Sequence, residues 1–518
     1  MVVYFLRYHY YIVACVMVIL LWGYSAYLRL PYIHAKPYTA NDCHNILFST
    51  WEIWDSSGIA NCHFAPRQTY HQSGNKFITY FKRLEDQQGN NYYISYPCLS
   101  YITTYGVFQI LDIHTPNQWS FYLYWTNLVL HLVSTLLLIR LILYQHRSFN
   151  GLIAAILAAT VYLLLPPMLH LHLHIYFPEM YGQIGLLLVL VFAQTYIHRP
   201  TSTQLILLCF ATFLLCYSEW LGLFLMISWW IGLCFYPQKS LKKACYWVTL
   251  TSCLSYLLTL FQFLSIAGWY QGIRSLVLRL VLRSGYFSTT YSEGGLNIYH
   301  HKFLSAFYHA YQNALSYYSY GFVIIICLFL YYRFANYTLQ KWSIAEKIIL
   351  LLAVCSTVMY NSLFINATTL HLHLWAKIAI PFSLLLAFLS IRIFNVIARW
   401  QYAFLLSIFV LIAHHSTLQY MPYLRSALPN PTLVAWGKII QERQDPNAAI
   451  FVHLETTHPI SNAVFFLTFY AHRNLQTVDS IEQAVQIAQQ HQHKKIQYFC
   501  FDDNPNQFQL EKVELSTQ

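Results

Sequence analysis

The chain has 518 residues, of which 57% are hydrophobic, 18% aromatic and only 9% charged. Soluble globular proteins carry about 25% charged residues, so this chain has too few charges to cover a water-facing surface; a soluble enzyme, a disordered chain and a coiled coil are excluded as its main architecture. The formal net charge is +11, but the basic residues are scattered between apolar runs, which predicts contacts with membrane lipids and no nucleic-acid partner.

Eleven apolar windows recur along the chain, and each approaches the roughly 20 residues that a helix needs to cross a bilayer. They predict an all-α polytopic membrane bundle with about eleven transmembrane helices. The windows are 11–28, 119–144, 151–168, 181–197, 203–218, 221–236, 244–268, 320–334, 347–364, 375–396 and 401–419.

The positions of Lys and Arg predict the orientation of these helices. If the N-terminus is cytoplasmic and the windows alternate, the short outside connections 169–180 and 365–374 contain no Lys or Arg, whereas the inside connections are basic. This asymmetry follows the positive-inside rule. The sequence therefore predicts a bacterial inner-membrane or plasma-membrane protein with an extracytoplasmic C-terminus, and it places the long loops 31–118 and 269–319 outside.

The first long loop, 31–118, begins with a predicted amphipathic helix. Asn41-Asp42 suits a helix N-terminus, apolar residues follow at near-helical spacing, and Gly58 marks the end; such a helix is expected to lie on the membrane surface. The segment Tyr92-Tyr93-Ile94-Ser95-Tyr96 is predicted to be extended, and Pro97 then opens a second short helix that ends near Leu111. The loop also contains Cys43, Cys62 and Cys98. Whether two of them form a disulfide bond, and which two, is not determined by the sequence.

These features resemble the integral-membrane C-type glycosyltransferases, abbreviated GT-C. The resemblance rests on the single N-terminal anchor, on Asp42 close to the membrane, on the amphipathic helix, and on Tyr92-Tyr93-Ile94-Ser95-Tyr96-Pro97 before the second span. The branch that it resembles is that of the dolichyl-phosphate-mannose-protein mannosyltransferases and the bacterial aminoarabinose transferases. It covers the N-terminal part of the chain best and the later helices only by their arrangement.

The resemblance implies a transferase that moves a sugar from a polyprenyl-phosphate donor to a glycan, lipid or protein acceptor on the extracytoplasmic side. In that family the first-loop acidic residue acts as catalytic base or helps to hold the acceptor and, in some members, a divalent metal; Asp42 matches it by position. The family often has Asp-Glu here, whereas this chain has Asp42-Cys43-His44, so both the base and the metal site stay open.

Chemistry supports a catalytic role for Asp42, because a carboxylate can take the proton of an acceptor hydroxyl. The alternative is that Asp42 only caps its helix. His44 and Tyr96 are candidate substrate-binding residues of the same loop, and Asp42 and His44 are the candidate metal ligands. No tightly bound cofactor is expected.

The predicted outside connection from His170 to Glu179 carries one carboxylate at a helix start. The family often has a second acidic residue in this loop, which makes Glu179 the second catalytic candidate; a helix cap is the alternative. Three alternating histidines share one face only if the segment is a strand, and then they are candidate metal ligands: His170, His172 and His174.

Three further charged features lie near predicted membrane boundaries. Glu219 between two apolar runs is either a site residue or part of an outside turn. Lys377 is expected to pair with Glu179 or Asp42, to meet the donor phosphate, or simply to snorkel. A basic stripe on a predicted interfacial helix is expected to bind the donor phosphate or, alternatively, ordinary anionic lipid; it consists of Arg274, Arg279 and Arg283.

The tail changes composition and is predicted to form a small extracytoplasmic α/β domain over 425–518, after a transmembrane domain over 1–424. Strands are expected over 449–454 and 495–501, with a helix capped by Ser480 between them. The chain lacks a Walker-type phosphate loop and any cytosolic loop long enough for a nucleotide-sugar domain, which favours a lipid-linked donor. Two rival functions are an oligosaccharide polymerase or ligase of surface-glycan assembly, and a multi-pass transporter.

Overall fold

The computed structural model describes residues 2–29, 42–70, 84–174, 178–284, 342–370, 372–394, 431–455, 470–502 and 508–515, with a few isolated positions between them. The chain divides into two compact units. The first, called the bundle unit, comprises 1–35, 121–259 and 277–426, and the second, called the mixed unit, comprises 36–120, 260–276 and 427–518. The predicted domain boundary at 424 stays a prediction.

Six helices within the described residues are long and apolar enough to cross a membrane. Three shorter apolar helices accompany them: Phe149–Leu164, Ser202–Ser218 and Leu221–Phe235. The six long segments are His9–Tyr27, Gln118–Gln145, Pro178–His198, Lys239–Ser284, Ile344–Leu363 and Leu374–Phe394. The chain is therefore a membrane protein with several transmembrane helices, and nine of the eleven predicted windows correspond to these nine helices.

The two remaining predicted windows, 320–334 and 401–419, lie outside the described residues apart from isolated positions. The longest described helix, Lys239–Ser284, has a non-helical residue at Gly268, whose φ is 76°. A left-handed φ of this kind is accessible to glycine without a steric penalty. Gly268 separates the predicted span 244–268 from the predicted basic helix, so the two occur in one helix with a break where the span ends.

Polar caps fix several helix starts in the bundle unit. Ser148 accepts a hydrogen bond from the Gly151 amide, and Thr201 accepts one from the Gln204 amide. Ser343 and Glu346 form a reciprocal capping box at the start of Ile344–Leu363. Each cap satisfies an amide that has no partner within the helix and contributes roughly 1 kcal/mol.

Glu346 also anchors a buried charge cluster at that end of its helix. Its carboxylate accepts hydrogen bonds from Arg392 at 2.8 Å and from the His146 ring at 2.9 Å, and the Arg392 guanidinium lies 4.3 Å from the centre of the Trp342 ring. Arg392 stands near the end of helix Ala379–Phe394. The hydrogen bonds therefore tie the start of one span to the end of another, as antiparallel neighbours require.

The mixed unit contains the predicted first-loop helix, which runs over Asp42–Ser57 and is followed by Gly58 with φ 82°. The prediction that this helix lies on a membrane surface is wrong for its described apolar face. Phe48, Trp51 and Trp54 are at most 1% exposed. Helix Leu99–Ile110, which is the predicted second short helix, supplies Phe108 against Trp51 with ring centres 5.3 Å apart. Protein aromatics, rather than lipid, cover this face.

The same helix is fastened to the tail of the chain within the mixed unit. The Glu52 carboxylate accepts hydrogen bonds from the Tyr70 hydroxyl at 2.8 Å and from the His472 ring at 3.1 Å. The Asn474 side chain accepts from the Tyr70 amide at 3.1 Å. These polar contacts join the first loop to the tail, some four hundred residues later in the chain, and alanine substitutions would remove them.

We expect the contribution of His472 to stability to fall as pH rises. Burial lowers the pKa of the His472 imidazole, but the hydrogen bond and the charge of Glu52 outweigh burial and raise the pKa above its usual value. A histidine of this kind contributes its full stabilisation of the folded state when the pH is below its pKa in the unfolded chain, about 6.5. The contribution is lost as the pH rises through the pKa of the folded protein. In detergent, the thermal midpoint of His472→Gln should lie furthest below that of the wild type in acid, and the two midpoints should converge above neutral pH. A difference between the midpoints that does not change with pH would contradict this.

A four-stranded sheet forms the tail part of the mixed unit, after a separate two-stranded ladder of β1 (Leu84–Glu85) and β2 (Asn91–Tyr92). The strands of the sheet are β3 (Ala449–Glu455), β4 (Leu475–Thr477), β5 (Lys495–Asp502) and β6 (Phe508–Glu514). Their order is β4-β3-β5-β6, with β3 parallel to both neighbours and β6 antiparallel to β5. The predicted strands and the helix capped by Ser480 therefore exist as predicted.

Helices cover both faces of this sheet. Val452 and Phe499 pack with Trp436 of helix Pro431–Arg443 on one face. Phe451 and Ala484 pack on the other face, where Ala484 belongs to helix Ile481–Gln490. Because side chains alternate along a strand, the central strands β3 and β5 are apolar on both faces, which is why the sequence shows apolar runs at these two strands.

Candidate functional site

Two carboxylates converge on one lysine inside the bundle unit. The Lys377 ammonium lies 3.7 Å from a carboxylate oxygen of Glu179 and 3.7 Å from one of Glu219, and all three side chains are at most 1% exposed. The ammonium also lies 4.2 Å from the centre of the Tyr360 ring, a cation–π distance. These four residues are called the carboxylate–lysine cluster below. The predicted pairing of Lys377 with Glu179 is present in the structure.

Each member of the cluster stands at or near a helix end. Glu179 is in the first turn of Pro178–His198, where the helix dipole favours a negative charge. Glu219 follows Ser202–Ser218, and its side chain accepts a hydrogen bond from the Leu221 amide at 2.8 Å, at the start of the next helix. Lys377 belongs to a 3₁₀ helix, Leu372–Ile378, that leads into Ala379–Phe394.

Gly182 makes the approach of Glu219 possible. A Cβ atom at position 182 would lie only 3.2 Å from both the Cβ and the Cγ of Glu219. This is tighter than ordinary van der Waals contact, so any larger residue would push Glu219 away from helix Pro178–His198. The glycine one turn after Glu179 therefore helps to bring the second carboxylate to the lysine.

The geometry leaves hydrogen-bonding capacity on the lysine. A separation of 3.7 Å is beyond hydrogen-bond length, and the Lys377 ammonium has no hydrogen-bond partner within the described residues. Two carboxylates beside one ammonium make a buried set of charges that is strongly interdependent, because each desolvated charge depends on the others for compensation. A phosphate, hydroxyl or water is the kind of group whose acceptors would complete such a site.

The basic stripe divides between exposed and buried positions. Arg274 is exposed, whereas Arg279 and Arg283 are 9% and 6% exposed. Protein atoms therefore cover Arg279 and Arg283, which would not be so for a stripe that faced only lipid.

The first-loop candidates are placed only in part. Asp42 begins helix Asp42–Ser57, but its side chain and that of His44 lie outside the described residues. Tyr96 is 1% exposed, with its ring centre 6.4 Å from that of Tyr93. Tyr96 therefore packs inside the mixed unit, and a direct substrate contact through its ring is not favoured.

The three alternating histidines do not form a strand, so the metal site that required one is not supported. The segment is the helix Pro166–His174, since its opening prolines suit a first helical turn. His172 is fully buried, its ring is stacked on His131 at 4.1 Å, and its Nδ1 donates to the Asn127 carbonyl. The His131 ring in turn accepts from Arg29 at 3.1 Å. The side chains of His170 and His174 lie outside the described residues.

Cys62 and Cys98 are free and buried, so the open disulfide of the first loop does not join these two cysteines. Sequence reasoning missed Tyr360 and left Glu219 undecided between a turn and a site. The available signal for Glu219 was a lone carboxylate between two apolar runs. Tyr360 gave none, because a tyrosine near the end of an apolar helix is ordinary.

No protein-family model matches the chain, and no curated protein sequence matches it. Among the solved structures that are similar to it are three from Archaeoglobus fulgidus. The archaeal oligosaccharyltransferase AglB, in complex with an inhibitory peptide and a dolichol-phosphate, shares 14% identity with a TM-score of 0.58, over 95% of this chain and 69% of that one.

The other two structures are of the oligosaccharyltransferase from the same organism. Its complex with Zn and sulfate shares 13% identity with a TM-score of 0.58, over 93% of this chain and 68% of that one. The form tethered by a disulfide bond to an acceptor peptide containing the NVT sequon shares 12% identity with a TM-score of 0.54, over 95% and 69%.

These neighbours are oligosaccharyltransferases, and the similarity extends over nearly the whole chain. The chain therefore shares the fold of these enzymes. The mannosyltransferase and aminoarabinose transferase branch stays a prediction.

Proposed function

We propose that the protein is a membrane glycosyltransferase that moves a sugar or glycan from a polyprenyl-phosphate donor to an acceptor on the extracytoplasmic side. The observation that carries the proposal is the fold, shared over 95% of the chain with an oligosaccharyltransferase solved with a dolichol-phosphate and an inhibitory peptide. A protein acceptor is accordingly included beside glycan and lipid acceptors.

On the acceptor side, the proposed role of Asp42 is to orient the acceptor and take its proton as the anomeric carbon is attacked. The new glycosidic bond forms as the bond between the anomeric carbon and the phosphate oxygen breaks, and the polyprenyl phosphate leaves. The divalent metal that the family implies would be held by Asp42 and His44, and it would polarise the acceptor or donor oxygens.

On the donor side, the proposal uses the cations of the bundle unit. A leaving polyprenyl phosphate carries growing negative charge, which guanidinium and ammonium groups in a water-poor site stabilise strongly. Arg283 and Lys377 are buried, and within the part of the chain that the structure describes the Lys377 ammonium donates no hydrogen bond. In this proposal Glu179 and Glu219 hold Lys377 in position. Glu179 remains a catalytic candidate in addition to this positioning role.

We expect Arg283→Ala to weaken the binding of a short-chain polyprenyl phosphate by about tenfold or more, since a shielded, charge-assisted hydrogen bond contributes about 1.5 to 3 kcal/mol. Arg279→Ala should also weaken the binding of the polyprenyl phosphate. Arg274→Ala is the matched control from the same helix, because its exposed side chain should matter little. Affinity is to be measured in neutral detergent, so that anionic lipid does not compensate.

Arg283→Lys separates a charge requirement from loss of the fold, since it restores the positive charge at similar length. If all three alanine variants bind the polyprenyl phosphate within about a factor of two of the wild type, a change of under half a kcal/mol, the stripe is a lipid anchor. The phosphate site would then have to involve Lys377, or else His300, His301 and Lys302 of the predicted outside loop 269–319.

The proposed topology has eleven spans, with the windows 320–334 and 401–419 completing the set, and with the α/β tail outside. It is supported by the two buried charge clusters: Glu346 begins helix Ile344–Leu363 and Tyr360 lies near its end, about 21 Å along the axis. Glu346 and Arg392 fall at predicted inside ends, whereas Tyr360 and Lys377 fall at predicted outside ends. Reporter fusions near residues 60, 290 and 470 should be extracytoplasmic, and cytoplasmic labelling of the tail would contradict the topology.

The rival functions are less well supported. A polymerase or ligase is itself a membrane transferase with a lipid-linked donor, and its usual reliance on loop arginines and histidines would make Arg283 essential and Asp42 dispensable. A transporter would instead place its ionisable groups in mid-helix. In the bundle unit the described buried charges of the carboxylate–lysine cluster stand at helix ends, which favours a transferase site at the membrane boundary.

A further inference from the structure

Three potential metal ligands meet on one face of the tail sheet, and the proposed transferase chemistry does not use them. One ligand atom from each of His453, Glu455 and Cys500 lies within 4.8 Å of the others. His453 and Glu455 are two positions apart on β3, so they share a face, and Cys500 is the register partner of His453 on β5.

The position of these residues in the sheet is one where ligands commonly bind. From β3 the chain goes to β4 on one side, and β5 then pairs with β3 on the other side. The point where the strand order reverses therefore lies between β3 and β5, and open α/β sheets bind ligands outside the carboxyl ends of the strands at such a point. Glu455 is the last residue of β3, and Cys500 is near the end of β5.

The hydrogen bonding of His453 prepares it to be a ligand. Its Nδ1 donates to the Val478 carbonyl at 3.0 Å, so in the neutral ring Nε2 carries the lone pair. Histidines that bind metals characteristically donate their other ring nitrogen to a carbonyl or carboxylate in this way. Nε2 faces a carboxylate oxygen of Glu455 at 3.5 Å, so the two atoms are placed to share either a proton on the ring or a bound cation.

We propose that His453, Glu455 and Cys500 bind a Zn²⁺ ion. A set of one imidazole nitrogen, one thiolate and one carboxylate is the donor chemistry that zinc accepts, with the fourth tetrahedral position left for water. The site is accessible, because the His453 and Glu455 side chains are 21% and 63% exposed. It lies within the mixed unit and is separate in sequence from Asp42 and His44.

Zinc binding requires a thiolate. Burial, followed by the charge of Glu455, raises the pKa of the Cys500 thiol to about 11. The thiol is therefore protonated at neutral pH, and the ion must displace its proton, which leaves to solvent as the zinc–sulfur bond forms.

The test uses the full-length protein in detergent, stripped of metal with a chelator and titrated with Co²⁺ as a spectroscopic substitute for zinc. The expected result is a thiolate-to-cobalt charge-transfer band that reaches full intensity with one Co²⁺ bound at this site; an ion held by Asp42 and His44 would not contribute to that band, because neither residue supplies a thiolate. Cys500→Ser should abolish the band, and His453→Gln should weaken binding by about tenfold or more. Cys234→Ser is the matched control, since Cys234 is exposed on helix Leu221–Phe235, and it should retain the band.

Two results would overturn the proposal. One is a wild-type protein that shows no thiolate-to-cobalt band. The other is a band that persists in Cys500→Ser and disappears in Cys43→Ser, which would assign the ion to the first loop. The thermal midpoint of each variant is measured without metal as the check on folding. A midpoint equal to that of the metal-free wild type shows that a loss of metal binding does not come from unfolding. The failure of this site would leave the proposed transferase function untouched, because none of its residues has a role there.

Discussion

Replacing Asp42 by Asn is expected to lower the rate of sugar transfer by about a hundredfold or more while the protein folds normally. A positioned general base contributes about 10²- to 10⁴-fold, and asparagine has nearly the same size and the same ability to cap a helix. The rate is to be measured in membranes as consumption of the lipid-linked sugar, with thermal unfolding as the check on folding.

Asp55→Asn is the matched control for this prediction. Asp55 lies in the same helix, is exposed, and accepts hydrogen bonds from Tyr105 at 2.7 Å and Gln109 at 2.8 Å. Its substitution changes the same charge in the same helix and should leave transfer near the wild-type rate. If the Asp42→Asn protein transfers sugar as fast as the wild type, Asp42 is only a helix cap.

Replacing Lys377 by Met is expected to destabilise the protein by about 3 to 5 kcal/mol, because it leaves two carboxylates buried without their ammonium. Methionine has a similar length and no charge, so packing is largely retained. Unfolding in detergent should report the loss, and the added substitution Glu219→Gln should restore part of it by removing one of the uncompensated charges.

Lys347→Met is the control for the charge change alone. Lys347 is exposed in the first turn of helix Ile344–Leu363, and a surface substitution of this kind usually changes stability by less than about 0.5 kcal/mol. A Lys377→Met protein as stable as the Lys347→Met protein would mean that the carboxylate–lysine cluster does not depend on its positive charge.

Local patterns were sufficient to predict much of the architecture. The apolar windows, the helix Asp42–Ser57 and the helix capped by Ser480 all follow from short-range rules of periodicity, capping and termination. The structure contains these helices because each rule acts within a few residues and tertiary packing reinforced it.

Other features depended on which segments meet, and the sequence alone does not state that. The apolar face of Asp42–Ser57 has the same pattern whether lipid or Phe108 covers it, so the prediction of a membrane-surface helix was wrong. Glu219 joins Lys377 only because Gly182 admits it. The alternating histidines have the period of a strand, but the paired prolines before them start a helix, and His172 packs against His131.

The central claim, a transferase that consumes a polyprenyl-phosphate sugar, is tested most directly by mass spectrometry of surface glycans and lipid-linked sugars in cells with and without the gene. The account predicts that cells without it lose one glycan modification and accumulate the corresponding polyprenyl-phosphate sugar, and that wild-type protein, but not Asp42→Asn, reverses both changes. Identical glycans and lipid-linked sugars in the two strains, under conditions in which the protein is expressed, would contradict it.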